Sequence, residues 1–162
     1  MEDIDLSAEF NDGADLRRAN LSNMNLSSSS WRGANFRRAT MRKFEANVAD
    51  FAGAILDESD MSDSFLDGSN FVGASMVNIS LKNTKLRFCR LSGANLQGAD
   101  LSGADFSESD LSGAKLDGAI LHNTNFEDCN LIGCTLHGIF VSGTIFPDGS
   151  NSNDSENKLD DV

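Results

Sequence analysis

The groups in this 162-residue chain that could carry chemistry are two histidines, three cysteines and 25 acidic residues; tyrosine is absent. A general base, an activated nucleophile or a metal centre needs such side chains within hydrogen-bond or ligand distance of one another. His122 and His137 have no cysteine or carboxylate at a metal-ligand spacing, and no nucleophile–base arrangement stands out. The stretch SGADFSESD at 102–110 has the acidic spacing of a calcium loop but lacks the rest of that motif. We therefore expect no catalytic, cofactor or metal site and no enzyme. Whether any of these residues meet depends on the elements that hold them.

Those elements follow an unusual period. Residues 91–120 read LSGANLQGADLSGADFSESDLSGAKLDGAI, a five-residue repeat. A helix repeats every 3.6 residues and a strand every 2, so neither sets this spacing. Stepping by five from Leu16 to Phe146 gives 27 positions in one frame, all large and apolar except Ala46. Two residues before each such centre sits Ala, Ser, Thr or Cys, except at Met24, Phe44, Ile79 and Ile139. The small centre Ala46 follows the bulky Phe44, a volume swap of the kind packed interiors tolerate best. Both positions therefore point inward.

A longer period lies in the glycines. Gly13, Gly33, Gly53, Gly73, Gly93, Gly113 and Gly133 are twenty apart. Four pentapeptides thus make one circuit, with a corner where glycine enters the positive φ of a type II turn without steric cost. Circuits stacked at about 4.8 Å, the strand spacing, bond backbone to backbone along the axis. Cys89, Cys129 and Cys134 fall on the small inward position, as core residues in a reducing compartment. Both histidines follow a centre and point outward. Asp15, Asp100, Asp105 and Asp110 precede a centre, which suits turn and face solvation.

Units such as ANLQG at 94–98, ADLSG at 99–103 and AKLDG at 114–118 resemble the pentapeptide-repeat proteins. The resemblance covers residues 14–148 and implies an all-β fold: a right-handed quadrilateral β-helix of about seven coils of twenty residues. The ending SGTIFPDGS resembles the closing segment of cyanobacterial members. Residues 1–13 keep the frame at Ile4 and Leu6, slip by one at Phe10, and read as an N-terminal cap. Pro147 removes a ladder donor, and the acidic tail 149–162 reads as disordered.

The net charge of −12 raises a sharper possibility, because some family members bind DNA gyrase or other type II topoisomerases as DNA-like acidic rods and modulate quinolone sensitivity. Duplex DNA carries one charge per ~1.7 Å, so a ~32 Å mimic needs about 19 uncompensated charges. The repeats hold 15 acids against 12 bases, and their unbroken frame lacks the loop insertions of the gyrase-protecting subgroup. The resemblance thus favours a non-enzymatic protein-binding scaffold in the cytoplasm, with the gyrase-directed mimic as the alternative.

Charge is also polarised along the chain. Residues 14–45 hold seven bases, Arg37, Arg38 and Arg42 among them, against two acids. Either an anionic partner docks there or the acidic residues 1–13 fold over the arginines; nucleic acid is the weaker partner, since the patch lacks interleaved aromatics. A second expected contact is Phe65, which with Lys85, Arg87 and Phe88 makes an outward aromatic patch flanked by cations. At the C-terminal end Ile120, Phe140 and Ile145 point outward beside an open ladder edge. We expect a homodimer through these coils; the competing arrangement is a tail that folds back over the edge. No apolar run approaches the ~18 residues of a membrane span.

Overall fold

The computed structural model describes residues 7–153. Ile4, Leu6 and the tail beyond residue 153 lie outside the described residues. Parallel bridges join each outward residue before a centre to the residue twenty further on, from Phe10–Ser30 to Asn125–Ile145. The amide of a centre donates up one coil, as from Leu101 to the Ile120 carbonyl at 2.9 Å, while the amide before it donates down, as from Asp100 to the Ile79 carbonyl at 2.9 Å. Each pentapeptide then closes its own turn: the Ala104 amide reaches the Leu101 carbonyl at 2.9 Å. Four such turns complete each twenty-residue circuit. The five-letter period is one side of that circuit.

Turn chemistry explains the letters. The third residue of every corner has φ near +60°, with negative φ before it, the sign pattern of a type II turn. Glycine tolerates this, yet fifteen other residues adopt it too, so the left-handed corner is a property of every side and not only of the glycine column. The Asp or Asn before a centre accepts the amide two residues on, as Asp100 does from Ser102 at 3.1 Å and Asn125 from Glu127 at 3.0 Å. These Asx caps give the aspartates the turn role expected of them.

Inside, the centres from Leu21 to Leu131 are buried, and Phe44 and Ala46 are both fully enclosed, as the volume swap requires. Phe51 stacks on Phe71 at 5.1 Å and Phe106 on Phe126 at 5.4 Å. Trp31 does not extend the first stack. Its indole N–H takes the Ser29 hydroxyl at 2.5 Å, and the ring meets Phe36 edge-on at 5.5 Å. The small position is more than a space-saver. Thr124, Ser109 and Cys129 donate to the carbonyls of Leu101, Leu86 and Phe106, each one coil below, at 2.9, 2.6 and 2.7 Å. These staples satisfy the buried hydroxyls and thiols, and no buried side-chain polar atom among the described residues lacks a partner.

Both ends differ from expectation. Phe10 does not slip: it bridges Ser30, 85% exposed, while Asn11 takes the centre and donates to the Ser30 carbonyl at 2.8 Å. An asparagine can occupy the half-buried end centre because only one coil packs on it. At the other end residues 149–153 are folded, where disorder was expected. Asn151 pairs antiparallel with Ile145, and Ser152 donates to the Thr144 carbonyl at 2.8 Å. Fold-back is therefore the arrangement seen for 149–153, and it covers one side of the last coil.

Two glycine corners separate backbone strain from crowding. A Cβ at Gly113 meets nothing within 4 Å, so Gly113→Ala bears only the left-handed cost, about 1–2 kcal/mol. A Cβ at Gly98 lies 2.3 Å from Asn78 Oδ1. Urea unfolding should find Gly98→Ala more costly than Gly113→Ala by at least ~0.5 kcal/mol, an excess that disappears in an Asn78→Gly background.

Candidate functional site

The structure settles the cations of the N-terminal end by pairing them along the stack. Arg37 Nη2 lies 2.6 Å from Asp57 Oδ2 and Arg38 Nε 2.8 Å from Glu58 Oε2, both twenty residues on. Arg42 reaches Asp63 at 3.3 Å, Arg32 reaches Asp50 at 2.7 Å, and Arg17 holds Asp15 at 2.6 Å. Except for Asp15, two residues before Arg17, these partners are acids of the neighbouring coil; of the described acids among residues 7–13, Asp12 folds over, accepting from the Arg32 amide at 3.0 Å. What remains is an open cleft of about 500 Å³ lined by Asp15, Arg17, Arg18, Arg37 and Arg38. Among the described residues the side chains of Arg18 and Lys43 have no ion-pair partner.

The carboxylates respond to this pairing. Partial burial pushes the Asp57 carboxyl up, but bonds from the Ser75 hydroxyl, Arg37 and the Val77 amide outweigh it and hold the group below the ordinary carboxylate range. Asp117 is held lower still by the Thr135 hydroxyl, the His137 amide and the His137 ring at 2.8 Å. Burial pushes the thiols of Cys89 and Cys129 up to about 12, which leaves them inert core groups. His137 is exposed and bound only to Asp117, and among the described residues no three His, Cys, Asp or Glu side chains cluster as metal ligands.

Phe65 and Phe88 do point outward, 50% and 55% exposed. Their cationic neighbours are not free, however. Arg87 holds Asp67 at 2.5 Å and Lys85 holds Asp105 at 3.3 Å, so the cation-flanked patch becomes an apolar one. Val48, 66% exposed, belongs with them and was missed in the sequence. It stands directly below Gly68, which stands below Phe88, in one corner column; Phe65 lies on the adjoining side of the Gly68 coil. The signal for Val48 was available: it occupies the positive-φ position, where a β-branched residue is an outlier. At the far end Phe140 stacks on Ile120 as expected and is 59% exposed, while Ile145 is half-covered by the returning tail. Ile132, 80% exposed, joins that end without having been singled out.

A family model described as pentapeptide repeats matches in eight copies, over residues 13–43, 49–83, 74–113, 84–123 and 109–146. No curated relative matches the chain. Among solved structures it is similar to HetL, a pentapeptide-repeat protein involved in heterocyst differentiation regulation in the cyanobacterium Nostoc sp., at 26% identity over 91% of this chain and 78% of that one, TM-score 0.46. A pentapeptide-repeat protein of the Arabidopsis thaliana thylakoid lumen matches at 30% identity over 67% and 68%, TM-score 0.47. QnrB1, a plasmid-mediated fluoroquinolone resistance protein, matches at 20% identity over 86% and 82%, TM-score 0.45. No described helix is long and apolar enough to cross a membrane.

The lowered carboxylates set an acid limit. A group depressed in the folded state adds stability above its unfolded value, about 3.9 for Asp, and loses it as pH falls through the folded value. The melting temperature should stay flat from pH 8 to 5 and fall below about pH 4. Asp57→Asn should start lower at pH 7, since it weakens the Arg37 pair, and lose less over the acid window. Equal acid slopes in both proteins would show that Asp57 is not one of the groups responsible.

Proposed function

This chain belongs to the pentapeptide-repeat family, and we propose that it is a non-enzymatic protein-binding scaffold. We read it as a right-handed quadrilateral β-helix of about seven coils whose outer surface makes the contacts. The observation that supports this reading is the filled cross-section. Centres and small positions alike are enclosed from Leu26 to Phe126, so a ligand meets only outward side chains. Three free thiols, Cys89 and Cys129 buried and Cys134 half-buried, suit the cytoplasm.

The alternative, a DNA mimic directed at gyrase, needs rows of uncompensated acid. Asp57, Glu58, Asp67, Asp100 and Asp105 each hold a cation within 3.3 Å, which favours the scaffold. Contacts of the basic end with an anionic partner stay within this proposal and fall to Arg18 and Lys43, because Arg37, Arg38 and Arg42 are engaged. We also propose a homodimer through the C-terminal coils. The tail covers the Gly143–Phe146 side, but the amides of Leu131, Leu136 and Val141 have no acceptor among the described residues, with Phe140 and Ile132 beside them. An open parallel edge of this kind invites a second chain.

Three measurements test these statements. Photocrosslinkers placed on each of the four sides should capture discrete proteins in a native extract; capture from none of them overturns the scaffold. Micromolar protein should leave gyrase supercoiling unchanged with and without quinolone, and inhibition or protection would restore the alternative. Light scattering should give twice the 17.4 kDa chain mass for the wild type and a folded monomer for Phe140→Glu. A wild-type monomer at high concentration removes the dimer.

A further inference from the structure

Val48, Phe65 and Phe88 share one physical oddity: each occupies a position where it costs folding stability and returns at most half its burial. Val48 and Phe88 sit at φ 59° in corners that Gly or Asn accept more cheaply. Phe65 replaces the Asp or Asn that caps the turn amide two residues on, so the Asp67 amide must be capped by Asn47 from the coil below, at 3.0 Å. All three remain at least half exposed. Burial cannot account for them, yet they converge on one spot. Between Val48 and Phe88 the column holds Gly68, whose missing side chain leaves a notch; a Cβ there would only touch Val48 Cγ2, at 3.5 Å.

The surroundings of the notch are acidic. Lys85 and Arg87 are consumed by Asp105 and Asp67. Among the described residues Glu45, one coil below Phe65, forms no salt bridge, and neither does Glu108, which feels Arg87 only at longer range, or Asp128; the last two continue the column above Phe88. Resting on the scaffold reading, we propose that the Val48–Phe65–Gly68–Phe88 notch docks a segment of another protein that inserts a bulky apolar residue and flanks it with Lys or Arg. The apolar side chain fills the glycine gap between two fixed apolar walls, and the flanking cations meet Glu45 on one side and Glu108 with Asp128 on the other. Strain retained at an exposed apolar cluster is what a binding surface explains and a folding role does not.

The test uses the full chain, isotope-labelled, and three synthetic twelve-residue peptides: one with Leu and Phe flanked by Lys, one with the same apolar residues flanked by Glu, and one with Lys and Ser only. The Lys-flanked apolar peptide should shift the amides around residues 48, 65, 68 and 88. The Glu-flanked peptide should bind at least tenfold more weakly, and the Lys–Ser peptide should not bind. Val48→Gly with Phe88→Asn should raise the melting temperature and abolish these shifts together. Shifts confined to the C-terminal edge or the arginine cleft, no shift at millimolar peptide, or a lowered melting temperature in the double variant would each overturn the proposal. A partner captured in extract equally well by the double variant would keep the scaffold reading and remove this site from it.

Discussion

The structure depends on one constraint: the parallel ladder never leaves its offset of twenty. Every side chain therefore lies about 4.8 Å above the residue twenty before it and the same distance below the residue twenty after it. Apolar centres gain from this, since rings stack and leucines fill the same volume coil after coil. The hydroxyl and thiol staples gain too, because most small positions, such as Thr124 and Cys129, find a carbonyl of the coil below within hydrogen-bond reach. A single insertion would break every column above it, and the frame holds none from Leu16 to Phe146.

Much of this was legible because the determinants are periodic in the chain. A large apolar residue every five positions and a glycine every twenty define the circuit without reference to tertiary contacts. The Phe44–Ala46 exchange was readable for the same reason, as two inward neighbours conserving volume. Charge was misread because it was counted along the chain. Arg37 and Arg38 look unopposed among residues 14–45, but their acids are Asp57 and Glu58, adjacent only down the column. The same folding of sequence into columns disarms Lys85 and Arg87. The turn of the tail back onto Ile145 was legible only as the alternative to a dimer, because a Ser- and Asn-rich segment carries no period and its bonds are made by side chains as much as by backbone.

Corners are where such a fold can be altered without disturbing the core. Every corner demands positive φ, so a non-glycine residue there carries a local cost that neighbouring coils must hold. Arg38 and Glu58 offset theirs by pairing with each other, and Asp63 by holding Arg42 and Asn83. Val48 and Phe88 have no such return within the chain. The difference between these corners is chemical and visible column by column, although their backbone strain is the same.

The same stacking rule governs what an acidic solenoid can become. Like charges placed twenty apart face each other across one strand spacing and repel, so the columns tend to alternate sign: Asp57 above Arg37, Arg87 above Asp67, Asp105 above Lys85. Alternation neutralises the middle of the rod and pushes surplus charge to places where a column repeats its sign. One is Arg18 with Arg38 near the first coil, where Glu58 can neutralise only the second arginine. Another is Glu108 with Asp128, where the cations run out. A continuous acidic stripe would require acids in register over most of the length, each coil repelling the next. Column charges in this chain instead largely cancel, with Glu108 and Asp128 left unpaired above the apolar notch, a distribution that fits the proposed docking of a compact basic–apolar segment better than an extended DNA-like contact.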